Sequence, residues 1–336
     1  MGRTFAFLLS CCCFLGVAAE PACAAPEPKP GLPAIQHPMT ALPPIATFPI
    51  ARHDADWVAI TPDAVWVAGK GPNVVHRIDP ATNTDTMTVP LPGGACAGLA
   101  AGFDSLWVPI CGDDRKTLSV LRIDRASGRV LATLPMGPPA EGGIAASQDA
   151  VWFVVDGKTL IAIDPKTNQP IRHIAITPGS EVPIVDGDTV WISSTEHDLV
   201  TAVDARTGAV IGTTATGPKP RFLTAGGGAI WTMNQGDGSV TRIDAHTRLV
   251  TATIPLGLPG AGGDIDYGND TVLVTAMGIP LTLIDPHTNQ PVVQWVGAGG
   301  DSLRYGHGSI WMTDYKNGSL MRLDPKLAAG APPPGN

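Results

Sequence analysis

Residues 222–257 read FLTAGGGAIWTMNQGDGSVTRIDAHTRLVTATIPLG. Phe222-Leu223-Thr224-Ala225 is an apolar run ended by Gly226-Gly227-Gly228. Ala229 to Met233 is a second run, ended by Asn234-Gln235-Gly236-Asp237-Gly238. Ser239 to Asp244 alternates apolar and polar side chains, as a strand with one buried face requires. Leu249 to Ile254 follows after another turn, and Pro255 and Gly257 close the unit. The stretch therefore predicts four short strands joined by tight turns.

Working outward, this unit of about forty residues recurs seven times between Val58 and Asp324. Each copy carries a large apolar residue inside its second strand: Trp66, Trp107, Trp152, Trp191, Trp231, Leu273 and Trp311. Each then carries an Asp at the end of its third strand: Asp79, Asp124, Asp164, Asp204, Asp244, Asp285 and Asp324. A period of this length built from strands and Gly/Pro turns predicts an all-β chain, a seven-bladed β-propeller with four-stranded blades. The Trp series is expected to wedge between neighbouring sheets. The Asp series is expected to form turns, as in Asp164-Pro165-Lys166-Thr167-Asn168, where Asp accepts backbone N–H groups, Pro presets φ and Asn or Gly takes the left-handed position.

The last repeat stops after three strands, at Leu320 to Asp324, while Ile45-Ala46-Thr47-Phe48-Pro49-Ile50 matches the fourth strand of the other units. The N-terminal strand is thus expected to complete blade seven and close the ring, Thr47 lying near Met321, which removes two open sheet edges. The expected domains are a signal peptide over 1–25, a Pro/Ala-rich disordered or extended lead over 26–44, the propeller over 45–327 and a disordered tail over 328–336. Arg3 followed by the apolar Phe5 to Ala18 and the small residues Ala22 to Ala25 reads as an export signal cut near Ala24 or Ala25. A periplasmic or secreted, monomeric protein with no membrane span follows.

The chain carries 22 Lys plus Arg against 30 Asp plus Glu, a formal net charge of −8. That balance, with no basic run, argues against nucleic acid as a partner. Once the signal leaves, Cys96 and Cys111 remain, an even pair in an oxidising compartment, and a Cys96–Cys111 disulfide is expected between two upper loops of blade two. The His residues do not cluster, and no phosphate-binding or nucleophile motif is present.

Counting back from each repeat Trp reaches the start of each inner strand, where side chains converge on the upper mouth of the channel. Asp56, Glu181, Arg221 and Asp301 fall there, with Phe222 and Asp264 one step on, and Asp314 and Tyr315 follow Trp311. These are the expected ligand-binding residues: a mostly acidic funnel with Arg221 as its central cation. Asp56, Asp264 and Asp301 are the candidate ligands for a divalent metal ion, the one cofactor the pattern admits.

Arg242-Ile243-Asp244 followed by Thr251 to Gly257 and by "Ile-Trp" or "Val-Trp" resembles the YVTN-type repeat propellers of bacterial envelopes, and is similar to the repeats of virginiamycin B lyase, over nearly all of Ala46 to Lys326. The lyase resemblance implies a seven-bladed propeller that opens a cyclic depsipeptide by elimination, with a metal, His and Glu at the channel mouth. The corresponding places here read Gly262-Gly263-Asp264-Ile265 and Gly300-Asp301-Ser302-Leu303, with Arg221 in Pro220-Arg221-Phe222-Leu223, and Asp314 or Tyr315 stands near the family's glutamate. The lyase His residues are not in register. The expected function is a non-catalytic propeller that binds a small molecule, peptide or envelope protein at its upper face; the alternative is a metal-dependent lyase acting in the acidic funnel.

Overall fold

The computed structural model describes residues 30–111, 118–137, 139–258, 260 and 262–330. The expected signal peptide lies outside them. Seven sheets of antiparallel strands succeed one another along the chain and form a seven-bladed β-propeller. Blade five is built from Pro220–Gly226, Ala229–Asn234, Ser239–Asp244 and Val250–Pro255, within two residues of the sequence reading at each end. The inner strand of blade one is His53–Thr61, that of blade six Asp264–Gly268 and that of blade seven Leu303–Gly306.

The ring closes as the repeat count requires. Ala46–Pro49 pairs antiparallel with Ser319–Leu323, in the register Ala46↔Arg322, Thr47↔Met321, Phe48↔Leu320 and Pro49↔Ser319. Phe48 is buried against Trp311, ring centroids 6.0 Å apart, so closure is sealed by packing as well as by backbone pairing.

The lead from Pro30 on runs along the edge of blade six. Gln36–Pro38 adds a fifth strand, parallel, to the outer edge of blade six, with His37 opposite Trp295. Leu32 N–H donates to Gln294 Oε1, and the buried Gln294 amide donates to the Leu256 carbonyl. Leu42 is 2% exposed and packs with Leu273, Trp295 and Ala328. A Pro-rich segment without periodicity still offers backbone groups and single apolar anchors to a sheet edge. The short helix Pro325–Ala328 likewise reaches past the expected end of the propeller, and the Trp295 indole donates to the Ala328 carbonyl at 2.8 Å.

All six repeat Trp residues are 0–1% exposed and Leu273 is 2% exposed, so the series is core. Removing one such ring costs about 3–5 kcal/mol. The smaller Leu273 leaves a gap of about 40 Å³, covered by Pro325 and Ala329. The Asp series makes turns: Asp79, Asp164, Asp204, Asp244 and Asp285 each accept the backbone N–H two residues on. Backbone N–H groups hold the five carboxyls below the usual range, chiefly that of the second residue on at Asp79, Asp164 and Asp285 and that of the third, Thr207 and Thr247, at Asp204 and Asp244.

Three arginines fasten one blade to the next. Arg122, Arg242 and Arg322 each lie over the Trp of their own blade, at 5.1, 4.9 and 5.0 Å from Trp107, Trp231 and Trp311. Arg242 then donates to the Pro286 carbonyl at 2.7 Å and to Asn289 Oδ1 at 2.9 Å. Arg322 does the same to Pro80 and Asn83, and Arg122 to Pro165 and Asn168. In each case the next blade carries the turn Asp-Pro-x-Thr-Asn, whose carbonyl and amide oxygen face back across the gap. Arg77 lies over Trp66 too, but the next turn is Asp124-Arg125-Ala126-Ser127-Gly128, with no Asn, and Arg77 turns to Asp63 of its own blade instead.

Cys96 and Cys111 form the expected disulfide, with Cα atoms 5.7 Å apart. Cys111 ends the strand Ser105–Cys111 rather than lying in the following loop, because Ala95 pairs with Ile110 and extends the sheet to that point.

Arg322→Ala removes three charge-assisted hydrogen bonds, to Ser309, Pro80 and Asn83, and a cation–π contact, so urea unfolding is expected to show a loss of about 2–3 kcal/mol, with Arg77→Ala costing less. A Cys96→Ser, Cys111→Ser pair is expected to lower stability by about 3 kcal/mol, given the sequence separation of 15; equal denaturation midpoints with and without reductant would contradict it.

Candidate functional site

The inner strands carry their first residues to the mouth, as the spacing predicts, but the arrangement is not an open acidic funnel. Trp57 and Phe222 meet with ring centroids 6.3 Å apart and are 8% and 7% exposed. With Leu99, Val182 and Ile265 they belong to one apolar cluster. Phe222 thus belongs to an apolar floor beneath the mouth. Trp57 sits at φ 58°, a left-handed conformation that costs a bulky residue. Its N–H is held by Asp56 Oδ1 at 2.7 Å and Ser302 Oγ at 3.1 Å.

Above the floor the expected residues fall into two sets. Asp56, Asp301 and Tyr315 come together on blades one and seven, within electrostatic reach of one another. Asp56 Oδ1 also accepts the Ser302 hydroxyl at 2.6 Å. Burial, then repulsion from Asp301, pushes the Asp56 carboxyl up to about 7. Burial and the neighbouring Asp54 push the Tyr315 phenol up to about 12. On the far side, Glu181 and Arg221 make a salt bridge at 3.0 Å, with Thr195 donating to Glu181 at 3.1 Å. The guanidinium of Arg221 lies over Phe222 at 5.3 Å. Asp314 is turned into its own loop, where it accepts Asn317 Nδ2 at 2.7 Å and the Asn317 N–H at 3.2 Å.

Asp264 goes elsewhere. It is 2% exposed, and Arg304 donates to its Oδ2 at 2.5 Å. Asp266, two residues on, accepts the Tyr305 N–H at 2.7 Å and the Thr224 hydroxyl at 3.3 Å, and burial pushes its carboxyl up to about 6. The three candidate metal ligands Asp56, Asp264 and Asp301 are therefore not assembled for an ion. Among the described residues no three His, Cys, Asp or Glu side chains group as a metal site needs. The reason is Arg304, whose guanidinium takes the place beside Asp264 that a cation would claim. Sequence reasoning missed Arg304 and Asp266. Asp266 had a signal in alternation: it lies two residues beyond Asp264, and so on the same face of its strand; Arg304, three residues beyond Asp301, had none.

The class is thus a seven-bladed propeller with a polar, internally paired rim over an apolar floor. The family model described as outer membrane protein assembly factor BamB matches residues 116–326, more than half of the chain, and the chain belongs to that family. A search of curated proteins returns no match. Among solved structures, the crystal structure of BamB from Moraxella catarrhalis is similar in fold, with a TM-score of 0.61 at 14% identity over 84% of this chain and 97% of that one. No helix of the described residues is long and apolar enough to cross a membrane.

The buried Asp56 gives a test by pH. Its folded carboxyl binds a proton more tightly than the unfolded one, so the protonated form stabilises the fold at acid pH. That stability is lost as pH rises from about 4 through about 7. The turn aspartates act in the opposite direction, so the comparison needs a variant. Asp56→Asn is expected to gain in melting temperature relative to the parent between pH 5 and pH 8; a constant difference across that range would refute the assignment.

Proposed function

We propose that the protein is a non-catalytic propeller of the bacterial envelope that holds a protein partner at the upper mouth of its channel. The observation that carries this is the mouth itself. Glu181 with Arg221, and Asp56 with Ser302, are engaged by partners of their own chain, which fixes their positions. Fixed, oriented polar groups around a closed apolar floor suit recognition of a surface. The family description, which names an assembly factor of the outer membrane, supports a protein partner and an envelope location. The Cys96–Cys111 disulfide supports an oxidising compartment, and with it the signal peptide and its cleavage near Ala24 or Ala25. In this reading Asp56, Glu181, Arg221, Asp301 and Tyr315 make the contact surface, Phe222 supports it from below, and residues 45–327 form the propeller. The resemblance to YVTN-type repeats agrees with an envelope setting. The metal-dependent lyase gains no support from a mouth where Arg304 already neutralises Asp264.

The test is a photo-crosslinking residue placed at Tyr315 in cells, with Lys166 on the opposite face as control. An envelope protein, identified by mass spectrometry, is expected at the Tyr315 position only. Adducts at Lys166 with none at Tyr315 would move the contact to the other face and overturn the proposal.

A further inference from the structure

Beneath the mouth the channel holds a cavity of about 160 Å³, and its wall is of two kinds. Trp57, Leu99, Val182 and Phe222 make one part apolar, and Asp264 and Arg304 make another polar. Arg304 uses a single nitrogen: Nη1 donates to Asp264 Oδ2 at 2.5 Å and to the Leu303 carbonyl at 2.5 Å. Its Nε and Nη2 groups have no acceptor among the described residues, although the side chain is only 31% exposed. That edge of a guanidinium is a planar two-pronged donor that fits a carboxylate.

The charge around it is not balanced. Asp264 contacts Arg304, and Asp266 and Asp56 lie within its electrostatic reach, so carboxyl groups outnumber the one guanidinium. A simple anion is repelled by that surplus. A simple cation leaves the guanidinium edge without an acceptor. A ligand that carries both charges on an apolar body answers every part of the wall.

We propose that this cavity binds a small zwitterion, an α-amino acid with an apolar side chain. Its carboxylate takes the free edge of Arg304, its ammonium faces Asp264, and its side chain lies against Trp57 and Phe222. The site is distinct from the partner surface at the mouth and does not depend on it.

Calorimetric titration of the full exported chain tests this with three probes: leucine, the amine left when its carboxylate is removed, and the acid left when its ammonium is removed. Leucine is expected to bind, and each truncated probe to bind at least about tenfold more weakly. Arg304→Lys keeps the charge beside Asp264 but loses the two-pronged edge. It is expected to bring leucine down to the affinity of the amine while the melting temperature holds. No heat with leucine at millimolar concentration, equal binding of leucine and its amine, or an unaltered leucine affinity in Arg304→Lys would each overturn the proposal. Crosslinking at Tyr315 reads the partner surface separately, so either result stands without the other.

Discussion

The pairing of Ala46–Pro49 with Ser319–Leu323 is the constraint on which everything else rests. Seven twisted sheets placed side by side bury their faces only if the last meets the first. An open array would expose the face of blade one and the edge of a three-stranded blade seven. Closure draws its strength from residues almost a whole chain apart, so it fixes the channel as one rigid object. Each inner strand then delivers its first residues to a defined place at the mouth. The juxtaposition of Asp56 with Ser302, across the seam between blade one and blade seven, exists only because the ring is sealed there.

At three of the seven seams the blades are joined by a repeated device. A buried Trp supplies area, and an Arg lying over it carries a hydrogen bond into the next turn. The exceptions have physical causes. Where the next turn lacks Asn, as after blade one, the Arg finds an Asp in its own blade. Where Leu273 replaces Trp, less area is available, and the two ends of the chain are brought in to cover the deficit. Leu42 from one end and Ala328 from the other pack in the same cluster as Leu273 and Trp295. Blade six is consequently the five-stranded blade of the ring.

The channel combines two demands that pull against each other. Charged residues at the mouth suit recognition, yet carboxylates near the axis lose hydration and repel one another. The chain resolves this by pairing. Arg221 meets Glu181, Arg304 meets Asp264, and Asp56 takes hydrogen bonds from Ser302 and Trp57. What remains is a rim of fixed polarity above an aromatic floor, and below the floor a small chamber whose guanidinium is only half used.

The sequence by itself determined the fold, the number of blades, the closing strand, the wedge role of the Trp series, the turn role of the Asp series and the cysteine pair. Each is written in local periodicity or in turn chemistry, so no distant residue is needed to read it. It also brought Asp56, Glu181, Arg221, Phe222, Asp264, Asp301 and Tyr315 to the inner-strand ends and the neighbouring loop. Only the tertiary structure decided what those residues do. Arg304 is an ordinary residue in the sequence Leu303-Arg304-Tyr305, and nothing local says that it will meet Asp264 from the neighbouring blade. Nor does the alternation of an inner strand say that Trp57 and Phe222, from blades that are not neighbours, will touch across the axis and close the funnel. Strand pattern sets the face on which a side chain stands; partners across a channel are set by ring closure, which couples residues that no local window contains.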